Sequence, residues 1–116
     1  MSNFKFIQRV LKASERVDDG RTPYYVLAKC MEELGELSTE VAVAEGQGYK
    51  EAGKDGVVGE AIDTMASLID LVFLHLRREN PDITLEEIQK ILYNKLIPKL
   101  HKWESKVTEH QLKKES

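Results

Sequence analysis

The sequence has little of what marks several common kinds of protein. Its 116 residues include a single cysteine, Cys30, so no disulfide forms within the chain, and we expect a small buried thiol in a reducing compartment. Every apolar run falls short of the roughly 18 residues that a membrane-spanning helix requires, so no membrane partner is predicted. The first residues also lack a basic start followed by an apolar block, and we therefore expect a cytoplasmic protein.

Basic residues are too few for general nucleic-acid binding. Lys and Arg number 17 against 20 Asp and Glu, which gives a formal net charge of -3, whereas contact with backbone phosphates requires a basic face. The chain is 41% hydrophobic and 32% charged, as is usual for a globular protein. Its length supports one modest core, so we predict a single domain over residues 1–116 with a basic C-terminal tail from about residue 108.

Proline and glycine are also scarce, and they separate four segments in which apolar residues recur every three or four positions. This periodicity predicts an all-α protein with a four-helix arrangement. The predicted helices span about residues 3–17, 23–45, 57–79 and 85–107. Thr22 and Thr84 are the expected N-caps of the second and fourth helices. Pro98 is expected to kink or restart the fourth helix, and the tail after His110 to fray.

Two of the predicted helices carry acids beside their apolar positions. In the second helix, Glu33, Glu36 and Glu40 are spaced i, i+3 and i+7, which places all three carboxylates on one side. The third helix carries a similar row, made of Glu60, Asp63, Ser67 and Asp70. One acidic row is usually a solvated helix face, but two rows that meet across one hairpin are seldom explained in that way.

The register between the two rows follows from the connecting loop. If the hairpin folds about its midpoint near residue 50, positions whose numbers sum to about 100 face each other. The predicted pairs are Glu40 with Glu60, Glu36 with Asp63, Glu33 with Ser67, and Lys29 with Asp70. Glu33, Glu36, Glu60 and Asp63, which we call the acidic cluster, then lie together with no Lys or Arg among them.

Like charges at such distances repel by several kcal/mol at an effective dielectric constant of about 20. Either some carboxylates are protonated or turn into water, or a divalent cation binds among them. Clustered carboxylates favour Mg²⁺, with Mn²⁺ as a possible substitute. The lack of a cysteine set or a Glu-x-x-His pair argues against zinc and di-iron centres. Gly35 is expected to permit a close approach, because glycine within a helix costs about 1 kcal/mol relative to alanine.

The spacing of the acidic cluster also resembles a known family. Glu33-Leu34-Gly35-Glu36 is followed after twenty-three residues by Glu60-Ala61-Ile62-Asp63. This pairing resembles the E-x-x-E, spacer, E-x-x-D signature of the MazG-like all-alpha nucleoside triphosphate pyrophosphohydrolases. The stretch "EELGEL", residues 32–37, is similar to the first motif of that family. The resemblance extends from about Thr22 to Leu76, and more loosely to Trp103.

The resemblance implies a four-helix MazG-like bundle that assembles as a homodimer or a dimer of dimers. It implies that Glu33, Glu36, Glu60 and Asp63 bind catalytic Mg²⁺. The implied reaction converts a (deoxy)nucleoside triphosphate to the monophosphate and pyrophosphate, in control or cleansing of the nucleotide pool. An uncoordinated oxygen of Glu33 or Glu36 would then orient the attacking water as general base.

Further candidate residues lie around this centre. In "NKLIPKLHKW", residues 94–103, Lys95 and Lys99 would contact phosphate, Asn94 phosphate or sugar, and Trp103 would stack on a base. The spacing of this segment departs from the family pattern, and the alternatives are solvated lysines and a core tryptophan. The candidates for contacts that support the metal ligands are Lys29, Asp70 and Glu40.

Two other functions remain open at this stage. An enzyme of the same fold would cleave phosphoribosyl-ATP, although no residue of this chain favours that substrate. A protein of a different class would be a non-catalytic helical interaction module, whose acidic cluster is a partner-binding or cation-stabilised surface.

Overall fold

The computed structural model describes residues 5–17, 20–47, 53 and 55–115. Within these residues the chain is entirely helical, and no strand is present. The helices are α1 (Phe6–Arg16), α2 (Pro23–Ala44), α3 (Gly56–Glu79) and α4 (Leu85–Glu115). The all-α prediction is therefore confirmed. None of these helices, within the described part of the chain, combines the length and apolar character needed to cross a membrane.

Both predicted N-caps are present. Thr22 Oγ1 accepts a hydrogen bond from the backbone N–H of Tyr25 at 3.1 Å, and Pro23 occupies the first turn of α2. Thr84 and Glu87 form the expected reciprocal capping box, because Thr84 Oγ1 accepts from the Glu87 N–H at 3.1 Å and Glu87 Oε1 accepts from the Thr84 N–H at 3.0 Å. These local hydrogen bonds fix where α2 and α4 begin.

Helix α4 differs from the sequence-based expectation in two ways. It contains Pro98 within one helix of 31 residues, so the predicted restart is wrong. It also continues past His110 to Glu115, where fraying was expected. A proline removes one backbone donor, but helix propagation on both sides of it adds a hydrogen bond for each residue fixed, which outweighs that local loss in a helix this long.

The chain divides into two compact units, Met1–Asp82 and Ile83–Ser116. In the first unit α3 packs along α2 and also against α1. Its buried apolar residues are Leu11, Val26, Cys30 and Phe73. Cys30 is only 2% exposed, as predicted for a core thiol, and burial is the main reason that its pKa is raised. The second unit contains α4; a single functional domain over both units stays a prediction.

Arg21 ties the ends of α1 and α2 to the middle of α3. Its Nε and Nη2 donate to the two carboxylate oxygens of Asp70 at 3.0 and 2.6 Å, and its guanidinium also donates to the backbone carbonyls of Ser14 and Val17. Lys29 pairs instead with Glu32 at 3.4 Å, so the predicted Lys29–Asp70 pair is wrong. The helix-face analysis missed Arg21 because this residue precedes α2.

We expect Arg21→Ala to lower the free energy of unfolding by about 3 kcal/mol, because it removes the two charge-assisted hydrogen bonds that the guanidinium donates to the carboxylate of Asp70. The side chains of Arg21 and Asp70 are only 11% and 20% exposed, so water replaces the lost contacts poorly. Urea denaturation measures the change. Lys29→Ala is the matched control, and it should change the free energy of unfolding far less because its partner Glu32 is exposed. Equal losses of unfolding free energy in the two variants would contradict the stabilising role assigned to the pair of Arg21 and Asp70.

Candidate metal centre

Two groups of three carboxylates meet where α2 packs against α3. In the first group, one oxygen each from Glu33, Glu36 and Glu60 lies within 4.8 Å of the others. In the second group, Asp55, Glu60 and Asp63 satisfy the same distance, and Glu60 belongs to both. We call these groups the Glu36 triad and the Asp55 triad. All four members of the predicted acidic cluster are therefore found in these two groups, and Asp55 joins them.

The register of the hairpin differs from the predicted one by about one helical turn. Glu60 lies beside Glu36 and Glu33, not beside Glu40 as predicted. Glu40 is 8% exposed and accepts a hydrogen bond from the backbone N–H of Gly53. The predicted pair of Glu40 with Glu60 is therefore not found among the close carboxylate groups of the described residues, whereas the pair of Glu36 with Asp63 stays a prediction.

Gly53 lies against the end of the Glu40 side chain. A Cβ atom at that position would collide with the carboxylate oxygen of Glu40, so a larger residue there would require the Glu40 carboxylate to move. Gly35 is different, because a Cβ there would meet no atom within 4 Å. The expectation that Gly35 permits a close approach is therefore not supported within this chain.

Glu60 carries an unsatisfied acceptor at the centre of both triads. Its Oε2 exposes less than 1 Å² and has no hydrogen-bond partner among the described residues. Burial, followed by the nearby carboxylates of Glu36, Glu33 and Asp63, raises the pKa of Glu60 from 4.5 to about 7. A buried oxygen among like charges requires a proton or a cation as its partner. The all-carboxylate set therefore fits Mg²⁺ or Mn²⁺, which prefer oxygen ligands.

The raised pKa of Glu60 predicts how the stability of the metal-free protein depends on pH. Because the folded-state pKa lies above the unfolded value of 4.5, the stabilisation from the protonated form is fully present below pH 4.5 and is lost as the pH rises through about 7. In EDTA, the contribution of Glu60 should therefore lower the melting temperature between pH 5 and pH 8. Glu60→Gln should flatten this difference, and Mg²⁺ should reverse it at pH 8. An identical pH dependence in the wild type and Glu60→Gln would contradict the prediction.

The four predicted substrate-binding residues lie on α4. Asn94, Lys95, Lys99 and Trp103 are all exposed, and Trp103 is 68% exposed. The alternative of a core tryptophan is therefore not supported within this chain. Lys95, Lys99 and Trp103 are spaced i, i+4 and i+8, so they share one side of the helix. Their contact with a nucleotide stays a prediction.

Asp55 is the site residue that the sequence analysis missed. The predicted third helix begins at about residue 57, so Asp55 was assigned to the preceding loop, where helical periodicity does not predict the position of a side chain. The available signal was its position eight residues, about two helical turns, before Asp63. Comparison of the chain with family models, curated proteins and solved structures gives no significant match.

Proposed function

We propose that the protein is a Mg²⁺-dependent nucleoside triphosphate pyrophosphohydrolase. Its substrate would be a canonical or modified (deoxy)nucleoside triphosphate in the cytoplasm, and its products the monophosphate and pyrophosphate. The observation that carries the proposal is the buried Oε2 of Glu60, which has no hydrogen-bond partner among the described residues and lies among converging carboxylates. The resemblance of these residues to the MazG-like signature supplies the reaction.

In this proposal Glu33, Glu36, Glu60 and Asp63 hold Mg²⁺, or Mn²⁺ in its place. When bound, the ion supplies positive charge against the triphosphate oxygens and lowers the pKa of an attacking water. Among the described residues, none of these four acids forms an ion pair with Lys or Arg. No Lys or Arg in the described part of the chain therefore neutralises these carboxylates.

The chain also supplies a base. Glu33 or Glu36 takes a proton from water as the water oxygen bonds to phosphorus at the α–β linkage. The bond from that phosphorus to the bridging oxygen breaks, and the departing group keeps the electron pair. Lys95 and Lys99 would bind the phosphates, because a lysine ammonium pairs with phosphate as a point charge. Asn94 would bind phosphate or sugar, and Trp103 would stack on the base.

A panel of triphosphates tests the activity directly. Dialysed protein is incubated with each canonical and several modified nucleoside triphosphates, with and without Mg²⁺. Monophosphate and pyrophosphate should appear in equal amounts, only when the ion is present, and the best substrate identifies the base. Release of orthophosphate instead, or no turnover with any member of the panel, would overturn the proposal.

A homo-oligomer is the second part of the proposal, because the α2–α3 hairpin exposes a broad apolar face. This face consists of Tyr24, Leu27, Met31 and Leu34 on α2 and Val58, Ile62, Met65 and Leu68 on α3, all more than 40% exposed. On each helix, these exposed residues come one or two positions after the residues that pack against the other helix. Because α2 and α3 run antiparallel, both exposed stripes therefore face the same side of the hairpin. The same face of a second copy would cover it, giving a homodimer or a dimer of dimers.

The exposed apolar face also favours a second candidate function, a non-catalytic helical module that binds another protein. In that case nucleotides with Mg²⁺ would leave the melting temperature unchanged, whereas a ligand bound by the folded state raises it. Thermal unfolding in the presence and absence of both ligands therefore separates the two functions.

A further inference from the structure

We propose that α1 carries a binding face for a single-stranded nucleic acid. Four exposed basic side chains, spaced i, i+4, i+7 and i+11, lie along one side of this helix from its N-cap onwards: Lys5, Arg9, Lys12 and Arg16. We call them the basic row. They are separate from the carboxylates of the proposed metal centre, so this inference does not depend on that centre.

The charge of the basic row is not offset by its neighbours. None of its four side chains makes an ion pair with another described residue. Glu15, the one acid within α1, pairs instead with Arg77 of α3 at 2.8 Å. With a rise of about 1.5 Å per residue, the row extends over roughly 16 Å of helix. It therefore presents unpaired positive charge along a line.

The net charge of the whole chain concealed this face. A formal charge of -3 predicted against nucleic-acid binding, because it sums the acids of α2 and α3 with the cations of α1. Association with phosphates depends on the charge of the surface that meets them, so a basic face on an acidic protein can still bind a polyanion.

The basic row has little exposed apolar surface beside it. Within α1, Leu11 is buried, Phe6 and Val10 are half-buried, and no large apolar side chain is exposed. A protein partner would require an apolar core at the interface, and an interfacial membrane helix inserts exposed apolar side chains into lipid. A nucleic acid requires neither, because contact with its phosphates and release of their counterions provide much of the affinity. The face therefore favours a nucleic acid.

A groove beside the basic row favours a single strand over a duplex. The groove has a volume of about 570 Å³, and its walls combine basic and apolar side chains: Phe6, Arg9, Val10, Lys12, Ala13 and Arg16. Aromatic rings and guanidinium groups are surfaces on which unpaired bases stack. A duplex keeps its bases paired and presents two backbones, whereas one line of cations beside one groove fits a single backbone and its bases.

The binding of a labelled oligodeoxythymidylate of about 12 nucleotides tests the inference on the full-length chain. Fluorescence anisotropy is measured in EDTA, so that neither a metal nor hydrolysis contributes. Each phosphate contact adds about 0.7 to the slope of log affinity against log salt, so four contacts predict a slope of about -2.8. The affinity should then fall about 50-fold from about 50 to about 200 mM salt. A wild-type affinity that does not change with salt, or no binding at the lower salt, would overturn the inference.

A matched pair of double variants locates the binding face. Lys12→Gln/Arg16→Gln should weaken binding at least about tenfold at low salt and reduce the slope by about 1.4. Lys102→Gln/Lys106→Gln is the control, because it removes two exposed lysines at the same i, i+4 spacing on α4. It should keep the affinity within about twofold. Equal weakening in the two double variants would show that binding is not specific to α1.

A single variant keeps the test decisive if the first double variant folds poorly. Lys12→Gln alone changes one exposed side chain, and it should reduce the slope by about 0.7. An unchanged slope in a Lys12→Gln protein that melts like the wild type would overturn the role of the basic row.

The class of partner is tested by competition. Unlabelled single strand should displace the probe at least about tenfold more effectively than a blunt duplex of the same length, polyglutamate of equal charge or phosphatidylserine vesicles. Displacement by the duplex, the acidic peptide or the vesicles as effective as that by the single strand would overturn the assigned partner. None of these results bears on pyrophosphate release, so the inference can fail while the proposed function stands.

Discussion

Glu36→Gln is expected to lower the rate of pyrophosphate release by a factor of about 10³ at saturating Mg²⁺. The substitution preserves the size and hydrogen-bonding oxygen of the side chain but removes a negative charge that, in the proposed centre, would hold the ion beside Glu33 and Glu60. It also removes one of the two candidate bases. Initial rates measured with the best triphosphate, across a range of Mg²⁺ concentrations, give the size of the loss. Asp63→Asn should act in the same direction.

The control for this experiment is Glu32→Gln. Glu32 lies on the same helix, is exposed and pairs with Lys29 at 3.4 Å, outside both triads. It should keep the rate within about twofold, and both variants should melt cooperatively in EDTA. A rate for Glu36→Gln as high as that of the control would rule out the assigned role of Glu36.

The second large effect is expected for the association of two chains into the proposed homodimer. Met31→Glu should weaken the homodimer at least about 100-fold, which corresponds to about 3 kcal/mol, because a charge would be placed in an apolar contact. Symmetry doubles the effect, since the same residue enters the interface from both copies. Met31 is 63% exposed in the single chain, so the substitution should leave the folding of that chain intact. Light scattering after size exclusion should show the mass falling from twice 13.3 kDa to the mass of one chain.

Thr39→Glu is the control for assembly. It also adds a carboxylate to the exposed surface of α2, but Thr39 lies outside the apolar stripe, and its hydroxyl donates to the carbonyl of Gly35. This variant should remain dimeric. A wild-type protein that sediments as a single chain at micromolar concentration would exclude the proposed interface.

Local sequence patterns predicted the helices well. To cap a helix, a threonine needs only a backbone N–H group a few residues later in the chain. The capping roles of Thr22 and Thr84 could therefore be predicted from the adjacent residues. The acidic rows likewise followed from helical periodicity alone. Wherever structure depended on short-range hydrogen bonds or on the period of one helix, the sequence was sufficient.

The relations between helices were harder to predict. The register was wrong by about one turn because the loop was assumed to fold about its midpoint, whereas Glu60 lies beside Glu36 and Glu33. The partner of Asp70 was missed because Arg21 lies outside the helical faces that were compared. Asp55 was overlooked because it precedes the predicted start of the third helix, outside the acidic row that was compared. All three cases depend on residues in connecting segments, whose conformations do not follow a period.

The contact between Glu40 and Gly53 has a consequence for how a cation would enter the centre. Glu40 accepts a hydrogen bond from a main-chain donor one turn along α2 from Glu36, and this contact involves no cation. Removal of a bound cation by a chelator should thus leave α2 and α3 aligned. The carboxylate oxygens of the site would stay close together, and only the repulsion between them would increase. A cation would then bind to a site whose backbone is already arranged, and the rate of binding should follow the dehydration of the ion and not a rearrangement of the backbone.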